Sequence, residues 1–238
     1  MAALQKEIEA FVHHVPALKN PWNVLLTVLY TIALSALCAA FFFFVDGMAW
    51  FGPILSQVVM AVIVTAIGYF HFKVIQGYRE KNGHLAYQVY FYHWMLPYLV
   101  TWYACLFHPL FIPGPALLPW WLAAALGGVF LLLSVLTTLH IKQSDFNMMT
   151  HGMDLYSVFP EKTAVVYGKI YSYIRHPLYF ALSCACFAFG FFRNSAAALL
   201  AAALQLIPAL AIGLMEDREL IHRAGEPQKA YIQKTAAL

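Results

Sequence analysis

The chain has 238 residues, 62% of them hydrophobic and 11% charged, with a mean hydropathy of +0.69 and a formal net charge of +3. Soluble domains carry about 25% charged residues, and so short a chain cannot cover itself in water with so little polar surface, so the bilayer is its expected solvent. The weak basic balance, without a clustered run of Lys and Arg, excludes a nucleic-acid footprint.

Residues 1–19 are polar and mixed in charge, so no cleavable signal peptide is expected. Apolar runs follow at 22–45, 53–72, 87–107, 117–139, 177–192 and 195–215. The third is rich in aromatics and contains His93 and Pro97, and the sixth is rich in Ala and Leu. A spanning helix needs about 20 residues. The short run 177–192 reaches that length only if the preceding turn continues it or the bilayer thins around it. Only Arg193 and Asn194 separate the last two runs, which predicts a tight antiparallel helical hairpin. The expected fold class is an all-α integral membrane protein of six transmembrane helices, residues 1–238 forming a single domain.

The basic residues set the orientation. With the N-terminus inside, Lys6, Lys19, Lys73, Arg79, Lys81, Lys142, Lys162, Lys169, Arg175, Arg218, Arg223, Lys229 and Lys234 fall on the cytoplasmic side, thirteen of the fourteen, and Arg193 alone lies outside. Such asymmetry follows the positive-inside rule and predicts a multi-pass protein with both termini cytoplasmic. The long polar connection 140–175 and the segment from Glu216 onward share that side, and a connection this long is more often functional than passive.

Cys38, Cys105, Cys184 and Cys186 all lie in apolar runs and form no C-x-x-C pair; they read as small buried hydrophobes. His71, His84, His93, His108, His140 and His151 form no i, i+3 or i, i+4 pair, so they read as core or interfacial side chains and no metal site is expected. The aromatic string Tyr87, Tyr90, Phe91, Tyr92, Trp94, Tyr98, Trp102 and Tyr103 reads as belt and packing, with part of it a possible wall for a lipid-like substrate.

Two clusters carry chemistry. The first is Tyr171-Ser-Tyr173-Ile-Arg175-His176-Pro177-Leu-Tyr179, where the fifth run begins. Pro177 suits a first helical turn, which puts Arg175 and His176 at a helix N-terminus, a place that favours anionic groups. The second is Glu216-Asp217-Arg218-Glu219-Leu220, where the sixth run ends. A tight hairpin returns both clusters to one face. They then form either a structural Arg–Glu pair or a pocket of both charge signs suited to a zwitterion.

This C-terminal part, 168–238, resembles the membrane-integral methyltransferases, the isoprenylcysteine carboxyl methyltransferase and phospholipid methyltransferase type. The shared pattern appears here as Tyr171, Tyr173, Arg175, His176, Pro177 and Tyr179, then Glu216, Asp217 and Leu220, then Gly225 and Tyr231. The chain departs from it at Asp217 for a second Glu, at Ala224 and Gln228 for Phe and Tyr, and at Ala181 for Gly.

The resemblance implies S-adenosyl-L-methionine as cofactor, held at the cytoplasmic face by Tyr171, Tyr173, Arg175, His176, Pro177, Tyr179, Glu216 and Asp217, with Arg175 and His176 also catalytic. It implies methyl transfer to a hydrophobic or lipid-like acceptor drawn from the lipid bilayer. A carboxylate acceptor needs no base; an amine or thiol must lose a proton, for which His140, Asp145, His151 and Asp154 are candidates. A small-thiol methyltransferase, an NADPH-dependent sterol-type reductase with a related ending, and a non-catalytic haem-binding membrane protein are the alternatives.

Overall fold

The long apolar runs fold as helices in the computed structural model, which describes residues 2–144, 146–147, 151–160 and 165–238. In chain order these are α1 (Ala2–His14), α2 (Pro21–Asp46), α3 (Gly52–Asn82), α4 (Ala86–Tyr90), a π-helical stretch (Phe91–Met95), α5 (Leu96–Phe107), α6 (Trp120–Lys142), α7 (Leu155–Val158), α8 (Pro177–Arg193), α9 (Ala196–Leu204), α10 (Leu206–Ala224) and α11 (Glu226–Lys234). No strand occurs among the described residues; Ile174 and Ala236 form an isolated parallel bridge.

Among the described residues, four helices are long and apolar enough to cross a membrane: Pro21–Asp46, Gly52–Ile75, Trp120–Lys142 and Ala196–Ala224. The other two expected spans take different forms. The run 177–192 is the 17-residue α8. The run 87–107 is not one regular α-helix, because the π-helical stretch interrupts it just before Pro97. Proline lacks an N–H and its ring crowds the carbonyl four residues back, so the ladder widens immediately upstream of it. The last span also runs past 215, so Glu216 and Asp217 lie within α10 rather than beyond its end.

Apolar side chains such as Leu26, Ile32 and Phe43 on α2, and Val129, Leu132 and Val135 on α6, are exposed. A surface of this kind suits hydrocarbon, where helices satisfy their own backbone groups. Inside the bundle, α6 lies against α8, with Phe130 stacked on Phe187 and Phe191 at 5.4 and 5.5 Å. Gly127 makes this approach possible, since a Cβ there would meet the Phe192 ring at 2.5 Å.

Polar contacts sort the connections into two ends. Asp46 bonds His108 at 2.8 Å, Arg193 Nε donates to the Ile112 carbonyl at 2.8 Å, and the Leu117 N–H donates to the Asn194 carbonyl at 3.0 Å. These gather the α2–α3, α5–α6 and α8–α9 connections. Asn194, left-handed at φ 55°, closes α8, and Ser195 caps α9 by accepting the Ala198 N–H at 3.1 Å. At the other end Phe11 of α1 packs edge-on against Tyr87 and Phe91, and the Ala17 N–H donates to Gln88 at 2.7 Å. The described residues of the 140–176 connection and the C-terminal segment lie at this second end, with the site.

Candidate active site

The Arg175–His176 segment is pinned from both sides. A 3₁₀ turn, Lys169–Ser172, precedes it, and Pro177 opens α8 immediately after it. Its backbone pairs with the C-terminal tail: the Arg175 N–H donates to the Ala236 carbonyl at 2.8 Å and the His176 N–H to the Ala237 carbonyl at 3.1 Å. The tail returns because Gly225, at φ 72°, turns the chain from α10 into α11, a conformation that side chains disfavour.

Arg175 meets Asp217 side-on, Nε and Nη2 each 3.1 Å from Oδ2, while Nη1 donates to the carbonyls of Ile232 and Thr235. His176 lies between the two acids of α10. Its Nε2 is 3.1 Å from Asp217 Oδ1 and its Nδ1 3.4 Å from Glu216 Oε2. Tyr179 Oη donates to the same Glu216 oxygen at 2.9 Å. Gly213 leaves room for the imidazole, since a Cβ there would lie 3.1 Å from His176 Cδ2.

Burial alone would push His176 toward neutrality. The hydrogen bonds to Asp217 and Glu216 and their charges outweigh that and raise its pKa to about 9. At neutral pH it is an imidazolium with two donors and no lone pair. His176 therefore supplies charge and orientation, and cannot accept a proton there. Most donors of Arg175 are likewise committed to the protein, so the two motif clusters brace each other around one buried charge network.

Two cavities share this network. The first is the more polar of the two, with Tyr171, Arg175, His176, Glu216, Asp217, Gln228 and Tyr231 among its lining. The second, about 170 Å³, is mostly apolar and is walled by His71, Tyr98, Trp102, Pro177, Tyr179 and Leu182, with Asp154, His176 and Glu216 common to both cavities. An aromatic file lines it: His176 on Tyr179 at 5.4 Å, Tyr179 on Trp102 at 5.2 Å, Trp102 against Tyr98 at 5.3 Å and Tyr98 on His71 at 5.7 Å. Beyond it, a groove of about 990 Å³ between α2 and α5 shares Leu99 and Tyr103 with the second cavity.

Of the motif residues, Tyr171, Arg175, His176, Pro177, Tyr179, Glu216 and Asp217 line one or both cavities. Tyr173 does not: at the end of the 3₁₀ turn its ring points away and is 76% exposed. Among the candidate bases, Asp145 lies outside the described residues. His140 is exposed at the end of α6, bonded to the Leu136 carbonyl at 2.7 Å. His151 and Asp154 line both cavities. His71, Phe146 and Gln228 join the site although the motifs do not mark them; the departure from the family's pattern at position 228 was the one available signal. Tyr98 and Trp102 came from the string read as belt and packing.

Apolar helices of this length around a buried charge network define an integral membrane protein with an enzyme-like site. Residues 122–222, from α6 through most of α10, match the family model described as phospholipid methyltransferase. That match spans both motif clusters. No curated protein and no solved structure matches the chain.

Proposed function

We propose that this protein transfers a methyl group from S-adenosyl-L-methionine to a lipid or lipid-like acceptor at the cytoplasmic face of its membrane. The observation that carries the proposal is the abutment of a charge-lined, more polar cavity and a mostly apolar one across His176, Glu216 and Asp154. Such a pair suits one soluble, charged substrate and one apolar substrate meeting at a single point.

The chemistry of the first cavity's lining supports the cofactor reading. Gln228 is 1% exposed and its Oε1 accepts no hydrogen bond among the described residues. Such an orphaned buried acceptor wants a donor, and the adenine amino group, ribose hydroxyls and ammonium of S-adenosyl-L-methionine are all donors. Phe146 and Tyr171, stacked at 5.8 Å, offer aromatic faces nearby. Glu216 Oε1 faces the ammonium or ribose in this reading, while an Arg175 N–H left over from Asp217 and the opening N–H groups of α8 receive the carboxylate. When bound, the cofactor supplies an electrophilic methyl on a sulfonium centre. The protein positions the two partners and excludes water between them.

The acceptor reaches the second cavity through the groove between α2 and α5, its apolar body staying in the bilayer. Each buried methylene adds about 0.8 kcal/mol to its partition. Turnover of tritiated methyl donor with alkyl amines, thiols and carboxylates of rising chain length in micelles tests this. Apparent KM falls with length while kcat stays nearly constant. Equal efficiency with short water-soluble acceptors would replace the lipid reading with a small-thiol or amine one.

A further inference from the structure

The second cavity holds a polar constellation to which the cofactor reading above assigns no role. His71 of α3, 2% exposed, places Nε2 2.7 Å from Asp154 Oδ2, and Tyr90 Oη lies against the same ring, 2.5 Å from Nδ1 and 2.7 Å from Nε2. Asp154 is left-handed at φ 53°, and Tyr87 Oη fixes the same turn by donating to the Met153 carbonyl at 2.6 Å. No described residue donates to Asp154 Oδ1. A buried imidazole and two tyrosines thus hold one carboxylate in an unfavourable backbone conformation at the junction of both cavities. Strain of this kind persists where the surroundings over-determine it, commonly at functional sites.

A second observation points to a ligand. Tyr98 and Trp102, 7% and 4% exposed, line the cavity, and among the described residues neither the Tyr98 hydroxyl nor the Trp102 Nε1 has a hydrogen-bond partner. An indole N–H can only donate, so this wall asks for a lone pair, which no hydrocarbon supplies.

We infer that the second cavity takes an acceptor whose head combines a proton-bearing nucleophile, amine or thiol, with a nearby oxygen, that Asp154 is the base, and that His71 is its positioning residue. The inference rests on the methyl-transfer reading. The nucleophile's proton passes to Asp154, and the electron pair that held it forms the bond to the methyl carbon. The pair of the breaking S–C bond stays on sulfur. Because Asp154 also lines the more polar cavity, its proton has a route to solvent. The Trp102 and Tyr98 donors grip the oxygen.

The test uses 2-(dodecyloxy)ethanamine and 2-(dodecyloxy)ethanethiol, with tetradecylamine and dodecanoate as comparisons. Asp154→Asn is the variant of choice because Asn tolerates the left-handed backbone. Its kcat falls roughly 10²–10⁴-fold with both proton-bearing heads, while affinity for S-adenosylhomocysteine stays at the wild-type value. His71→Gln lowers kcat about tenfold with KM unchanged. By calorimetry on protein saturated with S-adenosylhomocysteine, the ether amine binds about fivefold tighter than tetradecylamine, and Trp102→Phe erases that difference. Retention of kcat within threefold in an Asp154→Asn protein that binds S-adenosylhomocysteine overturns the inference, as does fastest turnover with dodecanoate. Wild-type protein that does not bind S-adenosylhomocysteine refutes the methyltransferase reading instead. Should Asp154→Asn fail to fold, His71→Gln carries the test, and wild-type kcat in that variant with S-adenosylhomocysteine still bound overturns the inference.

Discussion

Replacing Asp217 by Asn keeps the shape of the side chain and removes the charge that faces both Arg175 and His176. The wild-type imidazole is raised from 6.5 to about 9 by Asp217 and Glu216 against the pull of burial. A group whose folded pKa is raised stabilises the fold fully below its unfolded value and loses that contribution as pH climbs through the folded one. The window here runs from about 6.5 to about 9, and the displacement is worth roughly 3 kcal/mol. For a chain of this size that corresponds to roughly 6–12 °C of Tm lost between pH 6 and pH 10. In Asp217→Asn only Glu216, 3.4 Å from Nδ1, still supports the charge, so most of this slope disappears. Thermal scans of both proteins in one detergent and at one scan rate, taken as a difference, cancel the titration of other groups. Equal slopes in the two proteins would refute the claim that Asp217 holds His176 protonated.

Three further outcomes follow from the geometry. Gly225→Ala, at φ 72° and ψ −143°, destabilises the turn that returns the C-terminal tail by about 1–2 kcal/mol, read as a lowered Tm. Gly213→Ala presses on His176 from 3.1 Å and weakens S-adenosylhomocysteine several-fold in calorimetry while the helical circular dichroism is unchanged. Gln228→Leu removes a buried acceptor that has no partner among the described residues, so Tm holds or rises while S-adenosylhomocysteine affinity falls about tenfold.

The sequence made the apolar helices legible because bilayer spans are long runs with few charges, and the hairpin because only two residues separate its arms. The meeting of Arg175 and His176 with Glu216 and Asp217 followed from that hairpin. Three features were not readable. The π-helical stretch before Pro97 depends on how a helix absorbs a missing N–H, which a hydropathy pattern does not record. The continuation of α10 through Ala224 was hidden by its charges, which end an apolar run without ending a helix. His71 reads as a core histidine, since its partner Asp154 is 83 positions away and only the packing of α3 on the 151–158 turn unites them. The aromatic string was ambiguous for a related reason: Tyr98 and Trp102 differ from ordinary packing residues only in their unpartnered polar atoms, a property of the folded cavity.

The central claim, that the buried charge network serves a methyl-donor site, is tested most directly by calorimetry of the purified protein against S-adenosylhomocysteine and against NADPH. The account predicts saturable 1:1 binding of S-adenosylhomocysteine, weakened roughly ten- to a hundredfold in Glu216→Gln, and no heat with NADPH. Saturable NADPH binding with none for S-adenosylhomocysteine would contradict it.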